Sequence, residues 1–280
     1  MRYAMRVEGT AHFRLDGVDP DETGGLDKHG ARERFTALGE ELRELQALLY
    51  AAGEHSVLIV LQGRDTSGKD GAIRHVFDHV NPQGCRVESF KVPTAEELAH
   101  DFLWRCHQVT PGKGMISVFN RSHYEDVLVV RVHGLAPEKR WRKRYDHINN
   151  WERLLADEDT VILKFYLHIS KQEQEQRLLE REAEVEKAWK LSVGDWKERE
   201  HWDDYTAAYE EALARCSTDY APWYIVPANH KWFRDLAVTE TIVETLRPLR
   251  ERWLLKLEEM GSVARRELLA FRASSAKTQD

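Results

Sequence analysis

The sequence predicts an α/β protein built on a mainly parallel sheet. Five short segments are rich in β-branched and aromatic residues and almost continuously apolar, and helical patterns lie between most of them. Strands joined by helices need right-handed crossovers, which place helices on both faces of the sheet. A glycine-rich turn with a lysine follows the first segment and precedes a helix, as in phosphate-binding domains. The predicted strands are residues 56–62, 85–92, 114–120, 160–169 and 222–228.

The chain before the first strand divides into an arm and a helix. Residues 1–29 are polar and rich in Gly and Asp, which predicts a surface arm. From Ala31 to Ala51, apolar residues recur at steps of three and four among Glu and Arg. This pattern predicts an amphipathic helix that ends at Gly53.

The end of the chain carries one more long helical pattern. It runs from Asp235 to Met260, and Pro248 is expected to kink or break it. Residues 261–280 are predicted to form a frayed tail. We therefore expect a single domain at residues 30–260, between the arm and the tail.

Composition and charge exclude several classes of protein. The 280 residues contain no apolar run near 18 residues, so no membrane span is expected, and the N-terminus lacks the apolar stretch of a secretory signal. The formal charge of −7 argues against a broad basic face for nucleic acid. Three widely spaced cysteines without a CxxC pair fit a reducing compartment. We expect a cytoplasmic globular protein that binds neither nucleic acid nor membrane.

The turn GRDTSGKDG at residues 63–71 predicts a phosphate-binding loop. Gly63, Gly68 and Lys69 match the pattern of a glycine, four residues, a glycine and a lysine. In such a loop, backbone N–H groups and a helix N-terminus converge on an anion, and the lysine adds a point charge. The alternative is a glycine-rich turn with a surface lysine. The predicted phosphate-binding residues of the loop are Gly63, Arg64, Thr66, Ser67, Gly68, Lys69, Asp70 and Gly71.

Two carboxylates make this loop unusual. Asp70 stands where nucleotide hydrolases carry a Ser or Thr hydroxyl for Mg²⁺, and Asp65 lies inside the loop. Carboxylates repel bare phosphates unless cations lie between them. We therefore predict Mg²⁺ as the cofactor and Asp65 as its first ligand. Asp70 either binds the metal as well or only orders the loop and the following helix N-terminus.

A second candidate set follows the third predicted strand. The carboxyl ends of parallel strands border the ligand crevice, so Asn120, Arg121 and Ser122 are expected to face the loop. Arg121 is a candidate to stabilise charge on a transferring phosphoryl group. The alternative is that Arg121 only pairs with Glu125 or Asp126.

Several longer blocks carry a resemblance to a known family. Among them are LQGRDTSGKDGAIRHVFDHVNPQG, FNRSHYEDVLVVRVHG and APWYIVPANHKWFRDLAV. Over about residues 12–247 the sequence resembles the type 2 polyphosphate kinases, the polyphosphate:nucleotide phosphotransferases. The resemblance implies a three-layer α/β/α P-loop kinase fold similar to thymidylate kinase, with a five-stranded sheet and a helical lid at about residues 172–205. It also implies Mg²⁺-dependent transfer between inorganic polyphosphate and a nucleotide, by a homodimer or homotetramer.

The resemblance assigns roles to individual residues. Asp65 and Lys69 match the metal-binding and phosphate-binding positions of the loop. Arg181 and Lys187 match basic positions of the lid, where Lys187 is expected to bind phosphate. The catalytic candidates are Asp65, Lys69, Asn120, Arg121 and Arg181.

The block FNRSHYE indicates the acceptor. Asn120 and Glu125 are similar to the branch of the family that accepts both AMP and ADP, whereas the ADP-preferring branch usually has Asp and Asn there. We expect adenine nucleotides as acceptors, and the resemblance leaves guanine nucleotides open. The nucleotide-binding candidates are Arg105, Arg121 and Glu125; the alternative for Arg105 is an arginine on a helix surface.

The predicted lid is basic and departs from the family pattern. Val185 and Val193 stand where the family usually has prolines, which removes two constraints on φ. Outside the lid, Arg64 replaces a usual apolar residue. The lid cations expected to follow a polyphosphate chain are Arg177, Arg181, Lys187 and Lys190.

The predicted reaction is an in-line transfer from polyphosphate lying over the loop to a nucleotide phosphate in the crevice. The attacking oxygen is already anionic, so no strong general base is required. Two alternatives stay open at this point. One is an ATP-dependent nucleoside monophosphate kinase of the same fold, and the other is a non-catalytic polyanion-binding scaffold.

Overall fold

A sheet of six strands forms the centre of the protein, in a computed structural model that describes residues 3–9, 12–183 and 192–276. The strands are β1 (Met5–Arg6), β2 (Ser56–Gln62), β3 (Cys85–Ser89), β4 (Ile116–Asn120), β5 (Thr160–His168) and β6 (Trp223–Pro227). Their order across the sheet is β1–β6–β5–β2–β4–β3. Only β1 is antiparallel to its neighbour among these described strands.

Helices pack on both faces of the sheet and give the three α/β/α layers that the resemblance implies. The described helices are α1 (Lys28–Ala52), α2 (Lys69–Val76), α3 (Ala95–Ala99), α4 (Trp104–His107), α5 (Val129–Val132), α6 (Glu138–Asp157), α7 (Lys171–Ala183), α8 (Val193–Glu200), α9 (Trp202–Cys216), α10 (Lys231–Leu246) and α11 (Arg250–Ala276). Helices α1, α2, α10 and the start of α11 cover one face, and α6 and α9 cover the other. None of the helices in the described ranges is long and apolar enough to cross a bilayer.

Strand β2 shows why a central strand is apolar at every position. All seven of its residues are buried. Val57, Ile59 and Leu61 join the core beneath α1 and α10, whereas Leu58 and Val60 join the core beneath α6 and α9. Successive side chains of a strand point to opposite faces, so a strand covered on both faces needs apolar residues throughout.

The structure differs from the sequence prediction at both ends of the chain. The prediction of five strands is wrong because the N-terminal arm contributes β1, which pairs with β6 and is flanked by the buried side chains of Ala4 and Val7. Two residues are too few to give a strand pattern in the sequence. The prediction of a frayed tail is also wrong, since α11 continues as far as Ala276. Pro248 interrupts the helix as predicted, within a 3-10 turn at Arg247–Leu249.

A fully buried ion pair supports the chain that follows β4. Lys164 Nζ on β5 lies 2.5 Å from Glu152 Oε2 on α6, and it also donates to Tyr124 OH and to the Cys216 carbonyl. Tyr124 OH in turn donates to Glu152 Oε1 at 2.9 Å, and His123 Nε2 lies 3.1 Å from the same oxygen. This network therefore fixes the 3-10 turn His123–Asp126 directly behind Arg121 and Ser122.

Replacing Lys164 by Met is expected to destabilise the protein by about 3–5 kcal/mol, because Glu152 would remain as a buried, unpaired charge. Urea unfolding measures this loss. Lys113→Met is the matched control, since Lys113 pairs with Asp159 at 3.4 Å on the surface and its loss should cost less than about 1 kcal/mol. Similar small losses for both variants would contradict the role given to the ion pair.

Candidate active site

The phosphate-binding loop connects β2 to α2 and has an unusual backbone. Gly63 and Gly68 have φ values of 155° and 98°, which side-chain-bearing residues rarely adopt. Thr66, with φ of 65°, adopts the left-handed region without being a glycine. A Cβ atom on Gly63 would lie 2.6 Å from Ser67 Oγ, so the loop closes tightly on itself. These conformations explain the glycine spacing that the sequence shows.

Lys69 begins α2 and folds back over the loop. Its Nζ donates to the carbonyl oxygens of Gly63 at 2.7 Å and Arg64 at 3.1 Å. Burial, together with the nearby Arg121 charge, lowers the pKa of Lys69 to about 8, against the opposing effects of Asp65 and other carboxylates. The alternative of a surface lysine is therefore wrong. A buried cation at the first turn of a helix is suited to an incoming anion.

Ser67 contributes a second polar group inside the loop. Its side chain is fully buried, and its Oγ has no hydrogen-bond partner within the part of the chain that the structure describes. Buried hydroxyl groups in folded proteins are nearly always hydrogen-bonded. An unsatisfied hydroxyl at this place is consistent with a loop that is completed by a bound anion.

Strand pairing brings the end of β4 to the loop. In the parallel register of β2 and β4, Asn120 lies opposite Leu61, two residues before Gly63. Asn120 Nδ2 donates to Asp70 Oδ1 at 2.9 Å, and an Arg121 guanidinium N–H donates to Asp65 Oδ1 at 2.7 Å. Both loop carboxylates therefore contact residues at the end of β4, Asn120 and Arg121, that the sequence singles out.

Arg121 forms the centre of this polar group. It has a positive φ of 62°, and besides Asp65 it contacts Glu125 Oε2 at 3.5 Å. The alternative from the sequence, pairing only with Glu125 or Asp126, therefore describes only part of its contacts. Its side chain is about two-fifths exposed, so the guanidinium is accessible to a ligand.

Gln62 is a site residue that the sequence reasoning missed. The last residue of β2, it is fully buried and donates through Nε2 to Glu125 Oε1 at 3.1 Å and to Ser122 Oγ at 3.2 Å. A polar residue at the end of an otherwise apolar strand, just before the loop, was the available signal. Gln62 thereby holds the candidate nucleotide-binding carboxylate in place.

Arg177 on α7 fixes the outer side of the loop. Its two terminal nitrogens donate to four backbone carbonyls, those of Thr66, Ser67, Ala228 and Asn229, at 2.7–3.2 Å. Its Nε donates to Glu173 at 2.6 Å, so all five N–H groups of the guanidinium are used. The sequence predicts that Arg177 follows a polyphosphate chain, but this buried side chain instead ties the loop to α7 and to the end of β6.

Arg234 packs behind the loop glycines and was also missed. A Cβ atom on Gly68 would lie 1.9 Å from one Arg234 guanidinium nitrogen, and one on Gly71 would lie 3.2 Å from the other. The guanidinium is buried and pairs with Asp235 at 2.6 Å. Gly68 is therefore required both by its positive φ and by this close approach.

Two other predicted arginines point away from the loop interior. Arg64 lies over the Trp202 ring at 3.6 Å and donates to the Trp202 carbonyl, so its guanidinium contacts α9 rather than the space above the loop. Arg105 is 7% exposed, which makes the alternative of a surface arginine wrong. It donates to the Lys91 carbonyl at 2.9 Å and lies 4.0 Å from Asp126.

Within the described part of the predicted lid, an ion pair joins the candidate catalytic arginine of α7 to α8. Arg181 on α7 donates to Asp195 on α8 at 3.0 Å. Burial and the nearby Asp65 raise the pKa of Asp195, while Arg181 opposes that change. Asp195 therefore lies close enough to Asp65 for the two carboxylates to repel each other. Lys187, Lys190 and Val185 lie outside the described residues.

Most of the predicted set thus converges on one crevice at the carboxyl edge of the sheet. It offers buried N–H and hydroxyl groups, two cations at Lys69 and Arg121, and carboxylate oxygens at Asp65 and Asp70. No group of three or more His, Cys, Asp or Glu within the described ranges is arranged to hold a metal by itself. A metal here would therefore need ligands in addition to these side chains.

This fold and this site define a P-loop phosphotransferase, because the loop, the helix N-terminus and the strand-end arginine surround a place for phosphate groups. Comparison with known proteins gives the family. The profile of polyphosphate kinase 2 matches residues 25–252, so the chain belongs to the polyphosphate kinase 2 family. The resemblance stated from the sequence is confirmed.

Individual relatives agree with this assignment. The chain is 55% identical to the AMP/ADP-polyphosphate phosphotransferase of Meiothermus ruber over 246 residues. The aligned region covers 87% of this chain and 92% of that protein. It is 46% identical to the ADP-polyphosphate phosphotransferase of Rhodopseudomonas palustris over 250 residues, and this aligned region covers 85% of each protein. The crystal structure of polyphosphate kinase 2 from Arthrobacter aurescens superposes with a TM-score of 0.83 at 41% identity, covering 89% of this chain and 93% of that one.

Replacing Arg177 by Lys is expected to weaken binding of inorganic tripolyphosphate about tenfold, because an ammonium group cannot satisfy four carbonyls and the loop loses its fixed shape. Isothermal titration calorimetry measures the affinity. Arg247→Lys is the control, since Arg247 pairs with Glu41 and Glu244 at the end of α10 away from the loop, and its described contacts do not include the loop. Equal affinities for the Arg177 variant and the unaltered protein would refute the positioning role.

The lowered pKa of Lys69 predicts a pH dependence. In the free protein Lys69 loses its proton as the pH rises through about 8, whereas a bound anion favours the protonated form. Affinity for tripolyphosphate should therefore fall between pH 8 and pH 9.5, by at most about tenfold per pH unit, with proton uptake on binding. In Lys69→Arg the group stays charged, so only ionisation of the ligand itself should change its affinity. The affinity of the unaltered protein relative to this variant should therefore fall over the same range, and a constant ratio would exclude this origin.

Proposed function

We propose that this protein transfers phosphoryl groups from inorganic polyphosphate to AMP and ADP, and that the reaction is reversible. The observation that carries the proposal is the loop at residues 63–71, in which Asp70 replaces the usual hydroxyl beside a buried lysine and Asp65 adds a second carboxylate. Two carboxylates beside a phosphate-binding loop suit a donor that brings its own cations. The names of the Meiothermus and Rhodopseudomonas relatives support polyphosphate as donor and AMP and ADP as acceptors.

In the proposed mechanism the end of the polyphosphate chain lies over the loop. Backbone N–H groups of residues 63–71, Lys69 Nζ and the free Ser67 Oγ bind its terminal phosphates. Lys69 exchanges its two carbonyl contacts for phosphate oxygens. Arg177 holds the loop so that these donors keep their positions when the ligand arrives.

The nucleotide is proposed to enter from the side of β4. Arg121 leaves Asp65 and binds the transferring phosphoryl group, where it neutralises charge as the bond to the donor breaks. The acceptor phosphate oxygen attacks in line and is already anionic, so the chain has to supply orientation rather than a base. Glu125, held by Gln62, and Arg105, which lies 4.0 Å from Asp126 in the same turn, position the nucleotide.

The residues present fit Mg²⁺ as the cofactor. Mg²⁺ at phosphoryl-transfer sites is usually bound through one or two carboxylates together with substrate phosphates, and Asp65 and Asp70 provide two carboxylates next to the place for the anion. The ion would neutralise charge on the phosphates of both substrates. Asn120 orients Asp70 through its amide N–H.

The lid is proposed to close on the donor. Arg181 is released from Asp195 and binds polyphosphate from the side opposite the loop, together with Lys187. The proposed lid spans residues 172–205, but Arg177 ties the start of α7 to the loop. Closure therefore involves the chain beyond Arg177.

Assembly and location follow the family resemblance. We propose a homodimer or homotetramer that acts in the cytoplasm, with adenine nucleotides as the main acceptors and guanine nucleotides as further candidates. The odd, widely spaced cysteines agree with a reducing compartment.

Incubation with AMP or ADP, Mg²⁺ and polyphosphate, without any added nucleoside triphosphate, tests the proposal. We expect ADP and ATP to form, chelation of Mg²⁺ by EDTA to stop the reaction, and Lys69→Ala to lower kcat at least a hundredfold through loss of phosphate positioning. Lys113→Ala, at an exposed lysine, is the control with unchanged kcat.

Phosphorylation of AMP by ATP but not by polyphosphate would instead indicate a nucleoside monophosphate kinase. Polyphosphate binding without turnover under any condition would indicate a scaffold.

A further inference from the structure

The C-terminal half of α11 extends beyond the folded domain. Trp253 is fully buried and donates through Nε1 to His55 Nδ1 at 3.1 Å, and Leu257 packs partly against the core. From residue 262 to residue 273 every position is exposed. The family profile ends at residue 252, so this extension is not part of the matched family region.

The extension nevertheless carries an apolar stripe. Leu257, Gly261, Ala264 and Leu268 follow one another at steps of four, three and four residues, which places them on one face of the helix. Leu268 is 52% exposed in the isolated chain. A helical segment of a few turns has little stability by itself in water, and an amphipathic one is normally stabilised by packing of its apolar face.

Charged residues border the stripe on both sides in a regular way. Glu258 and Arg265 each follow a stripe residue and are seven positions apart, so they lie on one side. Lys256 and Glu267 each precede a stripe residue and are eleven positions apart, so they lie on the other side. The Arg265 guanidinium reaches back to within 3.6 Å of the Cβ position of Gly261, next to the stripe. Each side thus carries one acidic and one basic residue.

This arrangement is complementary to itself when the helix is reversed. The midpoint of Glu258 and Arg265 lies between Gly261 and Ser262, and the midpoint of Lys256 and Glu267 is the same point. A two-fold axis there would place Glu258 of one copy beside Arg265 of the other, and Lys256 beside Glu267, with each pair occurring twice. The stripe pairs Leu257 with Leu268, and Gly261 with Ala264, share a midpoint one residue further along.

We infer that α11 pairs antiparallel with α11 of a second copy of this chain, around a two-fold axis near Ser262. Small residues at Gly261, Ser262 and Ala264 allow two helices to approach closely at the crossing. An isologous interface requires one surface to be complementary to itself. The four charges meet this condition at one register, and the centre of the apolar stripe lies one residue further along the helix. A different protein as partner would not require that symmetry. The inference does not depend on the proposed reaction.

Charge reversal tests the pairing and its register. Sedimentation equilibrium of the full chain should show self-association that Arg265→Glu weakens at least tenfold, because it places two like charges together twice across the axis. The double variant Glu258→Arg with Arg265→Glu should restore the association to within about threefold. Glu258 and Arg265 are two helical turns apart in one chain, so contact within a helix would not produce this rescue.

Arg266→Glu is the matched control, since Arg266 lies on the side of the helix away from the stripe and should leave the association unchanged. If the protein also assembles through another surface, Arg265→Glu should halve the particle mass rather than give monomers, and the double variant should restore it. Unchanged association in Arg265→Glu, failure of the double variant to rescue, or an equal effect of Arg266→Glu would each overturn the inference. Circular dichroism confirms that each variant keeps its helix content, and phosphotransfer assays are a separate readout.

Discussion

The parallel pairing of β2 with β4 is the constraint on which the candidate site depends. Their register sets Asn120 beside Leu61, so the loop that leaves β2 starts next to Arg121 and the turn that leaves β4. A parallel sheet brings the carboxyl ends of such strands to one edge, where ligands bind in open α/β folds. The two halves of the site are about 55 residues apart in sequence, and this register alone brings them together.

Different buried polar groups fix different parts of the crevice. Arg177 and Arg234 pack against the loop from outside and fix its backbone, while Gln62 fixes Glu125 from below. The Lys164–Glu152 pair lies deeper and holds the turn after Arg121. Each of these groups has its hydrogen-bonding capacity largely engaged by protein, unlike Ser67 Oγ and the exposed side of Arg121. Rigid support and available donors are therefore carried by different residues.

The sequence predicts the fold class and the centre of the site well, and it fails where the determining contacts are distant. Apolar runs identify the five parallel strands because burial on both faces leaves a clear pattern, but β1 consists of two residues and leaves none. Loop and strand-end residues are found because glycine spacing and strand order have local meaning. The position of the Arg177 side chain cannot be predicted in this way, because it is fixed by hydrogen bonds to four carbonyls from two separate segments. The contact of the Arg64 side chain with α9 cannot be predicted for the same reason, because its partner Trp202 lies 138 residues away in sequence.

The ion pair between Arg121 and Asp65 has a thermodynamic consequence. In the absence of ligands each group is the other's counter-ion, so the free site resists both a lone anion and a lone cation. In the proposed mechanism, an anion that binds Arg121 would leave Asp65 without its partner and raise the affinity of that carboxylate for a cation, and the reverse would hold by linkage. The proposal therefore implies that the anion and the cation bind cooperatively.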